Sequence, residues 1–247
     1  MTAFHRRLIE RTEELRDGCL ALSFPEEDLI PYHPLSYAWT LHRDYLLTYV
    51  KEGAPLFFLG MNPGPFGMGQ NGVPFGEVTV VKDYLCLSGK VSPFPGAHAK
   101  RPVTGLSCER SEVSGKRLWS LIAQLYPDAA GFPPHLSVMN YCPVLFADRG
   151  EGGRNVVPEK LPQKYRKPLE DLCDEYLDDV VTLIRPEVIV GVGAYATVKG
   201  KACARRIVHP VKVSTVLHPS PASPAANRGW KEMAVSQLKE ASLWHYL

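Results

Sequence analysis

Apolar positions recur at helical spacing over residues 2–22, where Phe4, Leu8, Ile9, Leu15 and Cys19 alternate with charged residues. That period predicts an amphipathic helix. Residues 37–50 read as a second helix, stopped by Gly53 and Pro55. The period then changes. LFFLG (56–60) is a short uninterrupted apolar run ending in a Pro/Gly loop, the mark of a buried strand. Ser114 is the expected cap of a helix running through Tyr126, and LSVMN (136–140) is a second strand, again followed by a proline. A long amphipathic helix is predicted over 162–184, with a proline at its start. EVIVGVG (187–193) and VSTVLHP (213–219) bring the strands to four, and a final helix runs from Pro224 to Leu243.

Strands alternating with helices imply a mainly parallel sheet covered on both faces. The unusual loops stand directly after the strands: GMNPGPFGM after the first, NYCP after the second, HPSP after the fourth. Open sheets of this kind bind ligands beyond the carboxyl ends of their strands. The pattern therefore delivers Asn62, Asn140 and His218 to one rim.

Composition narrows the class. The 247 residues are 45% hydrophobic and 22% charged, which fits one compact domain and excludes disorder and fibrous repeats. No run approaches the ~18 apolar residues of a membrane span. The N-terminal MTAFHRRLIERTEELRDG is too charged for a signal peptide. Cysteines 19, 86, 108, 142, 173 and 203 are scattered, with no CxxC, so neither a metal centre nor a disulfide framework is expected. Reduced thiols point to a cytosol-like compartment. A net charge of +2 means that a polyanion must meet local basic patches.

Within GMNPGPFGMGQNGVPFGE (60–77), glycines permit close backbone approach and prolines fix the path. A loop of this composition by itself more often serves structure than chemistry, but leaving Phe66 and Phe75 in solvent argues against a linker. It lacks the Gly-Lys-Ser/Thr of a P-loop. In HPSPASPAANRGW (218–230), Ser220 and Ser223 are placed to cap a helix start, where phosphate is favoured and Arg228 adds charge. His218 alone reads equally as a hydrogen-bonded structural histidine, and Asn140 as a loop-capping amide. VGVGAYA (190–196) lacks the third glycine of a dinucleotide fingerprint and reads as a close-packed turn. Lys199, Lys201, Arg205 and Arg206 read as a solvated helix face. Ser111 and Ser114 lack a nucleophile elbow.

Taken together, GMNPGPFGM with GVPFGEV, the asparagine of MNYCP, and HPSP…ANRGW resemble the single-strand-selective monofunctional uracil-DNA glycosylases. The likeness runs from Tyr37 to Trp230 and includes RPVTGLSCERSEVSG (101–115) and GRNVVPEKLP (153–162). It implies a single domain over 1–247 with a three-layer α/β/α sandwich around a four-stranded, mainly parallel sheet. It also implies Asn62 and His218 as catalytic residues. Asn140, Phe75, Gly64 and Met61 would then hold the base. Pro219, Ser220, Pro221, Ala222, Asn227 and Arg228 would meet the DNA.

The implied chemistry is hydrolysis of the uracil N-glycosidic bond after base flipping, in single- and double-stranded DNA, leaving an abasic site. Asn62 would position water, and His218 would stabilise charge on uracil O2. No lysine stands at a nucleophile position, so no lyase step is expected, and no cofactor or metal. Glycine at 64 implies space at C5, which would admit a 5-hydroxymethyl or 5-formyl group. Ala222, Ser223 and Ala225 stand where the family carries longer side chains, which predicts a preference for single strands. The expected assembly is a monomer without membrane contact. Competing readings are a lesion-binding protein without chemistry, a glycosylase of the same fold for hypoxanthine or xanthine, and a hydrolase of free nucleotides.

Overall fold

The computed structural model describes residues 1–25, 27–128 and 135–247. Its order begins with α1 (Ala3–Ala21), β1 (Leu29–Tyr32), α2 (Pro34–Tyr37), α3 (Trp39–Tyr49), β2 (Leu56–Gly60), α4 (Met68–Asn71) and α5 (Val113–Leu125). It continues with β3 (Leu136–Asn140), β4 (Leu145–Asp148), β5 (Asn155–Val156), α6 (Gln163–Ile184) and β6 (Val188–Val192). The C-terminal part is α7 (Ala194–Arg206), β7 (Lys212–Val216), α8 (Pro224–Asn227) and α9 (Trp230–Glu240).

The central sheet has the order β3-β2-β6-β7, and every pair is parallel. From β2 the chain steps outward to β3, then crosses back beyond β2 to β6 and on to β7. Right-handed crossovers therefore send α5 to one face and α6 and α7 to the other. α1 packs on α6, with the Thr12 hydroxyl 2.8 Å from that of Tyr176, while α9 packs beside α5. The result is the expected three-layer sandwich. Gly200 of α7 lies on the sheet, where a Cβ would come within 3.0 Å of Ile189. β2 and β6 are buried along their whole length, as a parallel strand covered on both faces requires.

Several boundaries differ from the sequence reading. β7 ends at Val216, so His218 belongs to the loop and not to the strand. α5 starts at Val113 behind Glu112, and Ser114 lies inside the helix and caps nothing. The C-terminal helix is two helices, because Gly229 takes φ 143° and breaks the path between α8 and α9. A second, antiparallel sheet of order β1-β4-β5 was not foreseen. Leu29 pairs with Asp148 and Phe146 with Val156; all three strands are short and β1 is distant in sequence from β4, so they do not announce themselves. Lys201, Arg205 and Arg206 are exposed as read, but Lys199 is largely covered, and Lys199 and Arg206 pair with Glu170 (3.1 Å) and Asp178 (2.6 Å) of α6.

Candidate active site

A cavity of about 350 Å³ opens beyond the carboxyl ends of the central strands. Met61, Asn62, Gly64, Phe75, Asn140, His218, Ser220 and Pro221 all line it, although they come from three separate stretches of chain. The sheet register explains the convergence. Gly60 and Asn140 are paired across β2 and β3, so the loop after β2 starts level with the asparagine. His218 arrives two residues past β7, and the backbone N–H of Gly193 donates to Val216 O (2.8 Å) just before it.

The floor depends on missing side chains. A Cβ on Gly60 would fall 2.6 Å from the Phe75 ring and closer still to Asn140 Oδ1. Phe75 has φ 54°, a left-handed conformation unfavourable for a bulky residue. Its surroundings hold it there: Trp119 Nε1 donates to Pro74 O (3.2 Å), and Asn71 brackets the turn by accepting from Val73 N–H and donating to Gly76 O. Gly115 of α5 lets the helix backbone press on the Phe75 carbonyl group. The turn at Gly193, φ 91°, brings its Cα beneath His218, where a Cβ would come within 2.9 Å of His218 Cβ. Gly193, the second glycine of VGVG, thus seats the histidine, while Gly191 lies against Thr197 of α7, and the sequence pattern announced neither role.

The polar groups are poised for a ligand. Asn140 Nδ2 faces Met68 Sδ at 3.1 Å, a weak acceptor, and its Oδ1 is buried without a hydrogen-bond partner. A buried unpaired acceptor costs about 1–3 kcal/mol, so a ligand N–H that reaches it recovers that cost. Asn62 Nδ2 donates to Pro63 O (3.2 Å), which leaves Oδ1 as the end to orient a water. Burial pushes the His218 imidazole below its ordinary pKa and favours the neutral ring. Glu112 also lines the cavity, and burial raises its carboxyl against the pull of the Phe66 and Ser114 backbone N–H groups.

The uracil DNA glycosylase superfamily matches residues 47–239. A rat protein named single-strand selective monofunctional uracil-DNA glycosylase is 45% identical over 90% of this chain and 79% of its own. The chain belongs to that family. A cattle relative of the same name is 45% identical over 94% of this chain and 85% of its own. The crystal structure of wild-type SMUG2 from Pedobacter heparinus shares the fold, with a TM-score of 0.68 at 17% identity, covering 98% of this chain and 99% of that one.

In this uracil-DNA glycosylase family member the remaining candidate residues lie around the mouth. Pro219 is buried, whereas Pro221, Ala222, Asn227 and Arg228 are exposed; Ala222, Asn227 and Arg228 stand outside the cavity. Ser223 caps α8 by accepting from Ala226 N–H (3.3 Å), and Ser220 Oγ accepts from Ala222 N–H (3.1 Å), as their positions predicted. Asn227 is engaged within the protein, donating to Pro221 O (2.8 Å) and accepting from Arg117 (2.9 Å). Arg117 also donates to Pro219 O (3.1 Å), so α5 clamps the loop that carries His218.

Glu112, Ser114, Asn155 and Val157 line the cavity and were not singled out from sequence as site residues. The two signals available were their places in the CERSEVSG (108–115) and GRNVVPEKLP (153–162) segments of the family likeness. Phe66 carries the guanidinium groups of Arg110 (3.8 Å) and Arg101 (5.0 Å) on its ring, beside the cavity wall at Pro65. Among the described residues, no cluster of His, Cys, Asp and Glu could hold a metal ion, and no helix is long and apolar enough to cross a membrane.

Proposed function

We propose that this chain is a monofunctional DNA glycosylase that hydrolyses the N-glycosidic bond of uracil and leaves an abasic site. The observation that carries the reading is the unpartnered Oδ1 of Asn140, buried in a cavity shared with Phe75, Asn62 and His218. The names of the rat and cattle relatives agree with it.

The residues act in sequence on a base turned out of its strand. Phe75 stacks on the ring. Asn140 Oδ1 accepts from N3–H, while Nδ2 leaves its weak sulfur contact and donates to O4. Cytosine offers an acceptor at N3 and a donor at its exocyclic amine, so the same fixed amide rejects it. Neutral His218 donates to O2 and stabilises negative charge there as the C1′–N1 bond breaks. Asn62 is an amide and no base, so the bond breaks first, giving an oxocarbenium-like sugar and a uracil anion. The water held at Asn62 then adds to C1′, and its proton is released to complete free uracil.

The finer reading extends to strand and lesion range. A flexible single strand presents its base without unpairing, and the small tip residue Ala222 offers little to fill a gap in a duplex. Single-stranded DNA is therefore the preferred substrate, with duplex DNA accepted more slowly. Bases that carry a hydroxymethyl or formyl group at C5 are included.

The test is a metal-free assay on labelled uracil-containing oligonucleotides, single-stranded and duplex, followed by alkali. Free uracil with strand breaks only after alkali is expected. Strand cleavage without alkali overturns the monofunctional reading. Binding of the lesion by folded protein without base release overturns the enzyme, and release of hypoxanthine in place of uracil moves the specificity.

A further inference from the structure

Phe66 follows the cavity wall at Pro65, and its ring carries two cations that the proposed reaction leaves without a task. The guanidinium of Arg110 lies 3.8 Å from the ring centroid and that of Arg101 lies 5.0 Å from it, so the two stand no more than twice the longer distance apart. Like charges crowded on one ring repel each other, and with a net charge of only +2 the crowding is local. No carboxylate relieves it. Among the described residues neither arginine forms an ion pair, and Glu109 and Glu151, exposed on neighbouring stretches, form none either. The Glu112 carboxyl is taken up by Phe66 N–H (3.3 Å) and lies against Gly64.

The arrangement is held in place by buried hydrogen bonds. Gln70 is buried; its Nε2 donates to Pro65 O (2.8 Å) and Pro102 O (3.0 Å), and its Oε1 accepts from Thr104 N–H (2.8 Å). One side chain thus ties the cavity wall to the segment that carries Arg101. The Tyr32 hydroxyl fixes the same segment, accepting from His98 N–H (2.7 Å) and donating to Arg101 O (3.1 Å). Arg101 donates from Nε to Gly153 O (2.9 Å), two residues before Asn155 of the cavity wall. Arg110 is exposed, and Lys100 and Arg154, also exposed, add charge beside the pair. A guanidinium held over an aromatic ring keeps its N–H fork at the edge, in the geometry that meets a phosphate with two parallel bonds.

We propose that Phe66, Arg110 and Arg101 form a binding site for a backbone phosphodiester of the DNA strand, beside the nucleotide whose base enters the cavity. The proposal rests on the reading of the chain as a uracil-DNA glycosylase. A base and its phosphates are joined through one sugar, so a base in the cavity brings phosphates to its mouth. An anion received by the two guanidinium groups offsets their repulsion and gives up its own counterions to solution. The ring restrains the arginines beforehand, so less side-chain freedom is lost on binding. This site is separate from the loop of residues 218–228. Phe66 follows β2 and that loop follows β7, with β6 between the two strands. A strand held at both loops keeps its place without a complementary strand.

The experiment compares the wild type with Arg110→Gln, an exposed change, and Phe66→Leu, with folding checked by melting. Binding of a uracil-free single strand is measured by fluorescence anisotropy across a salt series, and kcat and KM are measured on the same strand carrying one uracil. A second series replaces the phosphates around the uracil, one at a time, by uncharged methylphosphonates. Arg110→Gln is expected to reduce the slope of log affinity against log salt by about 0.7, the share of one phosphate contact on a single strand. Its KM is expected to rise by about fivefold or more, with kcat within about twofold of the wild type. At one position a methylphosphonate should weaken the wild type and leave Arg110→Gln unaffected, and Phe66→Leu, which keeps both charges, should fall between. Parallel salt slopes, a loss in kcat with KM unchanged, or equal methylphosphonate responses in wild type and Arg110→Gln overturn the phosphate site while leaving uracil release standing. The binding slope needs no turnover, so a wild type that binds the strand and releases no uracil overturns the underlying reading, and the slope still decides the site.

Discussion

Phe75 holds a left-handed backbone that a phenylalanine adopts at a cost of about 1–3 kcal/mol, and the neighbours that keep it there are the ones that build the floor of the cavity. Gly60 is the tightest of them. Gly60→Ala is expected to push the Phe75 ring and the Asn140 amide apart and to lower kcat/KM on uracil by about a hundredfold. Circular dichroism and melting distinguish a shifted site from a lost fold, and normal turnover by the variant contradicts the description of the floor. The same logic at Gly64 couples two residues far apart in sequence. Gly64→Ala meets the Glu112 carboxyl, so Glu112→Ala is expected to restore part of the stability that Gly64→Ala removes. A double-mutant cycle in urea measures this, and simple additivity contradicts the contact. Neither pairing was legible beforehand: a lone acid among polar residues carries no local signal, and its partner lies at the other end of a long loop.

Among the elements, the segment from His218 to Arg228 owes its shape to α5 as much as to its own prolines. Arg117 reaches two carbonyl groups and Asn227, and Ser223 caps α8. Arg117→Ala is therefore expected to loosen the loop and lower kcat, with Arg117→Lys recovering only part, since an ammonium does not reproduce a planar fork. Full activity in both variants contradicts a clamp. At the exposed tip, Ala222→Leu adds a side chain able to occupy a vacated base position. It is expected to raise the duplex-to-single-strand rate ratio by about threefold or more, and an unchanged ratio rules out a wedge role for that residue. The central strands were readable because LFFLG and LSVMN are buried apolar runs bounded by glycine or proline. β1, β4 and β5 were not: LIPY contains a proline, β5 has two residues, and the pairing of β1 with β4 is long-range. The break at Gly229 was hidden because a glycine inside an amphipathic pattern reads as tolerated until its φ is known.

Over the whole molecule, buried histidines set the acid limit of stability. His42 lies wholly inside with its Nδ1 donating to Gly72 O (2.7 Å), and burial lowers both it and His33 to about 4. In the unfolded chain they return to about 6.5 and bind protons first. Their lowered folded values mean that stability is full above about pH 6.5 and falls as pH drops toward 4. Urea midpoints measured across that window should decline, and His42→Gln should flatten part of the decline. A midpoint that does not change with pH contradicts neutral burial. The three-layer architecture and the meeting of Asn62, Asn140 and His218 at one rim followed from strand–loop order alone, because a parallel sheet gathers every strand's carboxyl end on one side. What the pattern lacked was the rest of the wall, which Glu112 and Ser114 at the start of α5 and Asn155 and Val157 at β5 complete.

The most direct test of the account is the single-turnover rate of uracil release by Asn62→Ala and His218→Ala beside the wild type, on single-stranded DNA, with folding checked by melting. A positioned water and an oxyanion donor each contribute on the order of a hundredfold or more, so both variants should stay folded, still bind the strand, and release uracil at least that much more slowly. Folded variants that keep the wild-type rate would contradict the assignment of the chemistry to this cavity.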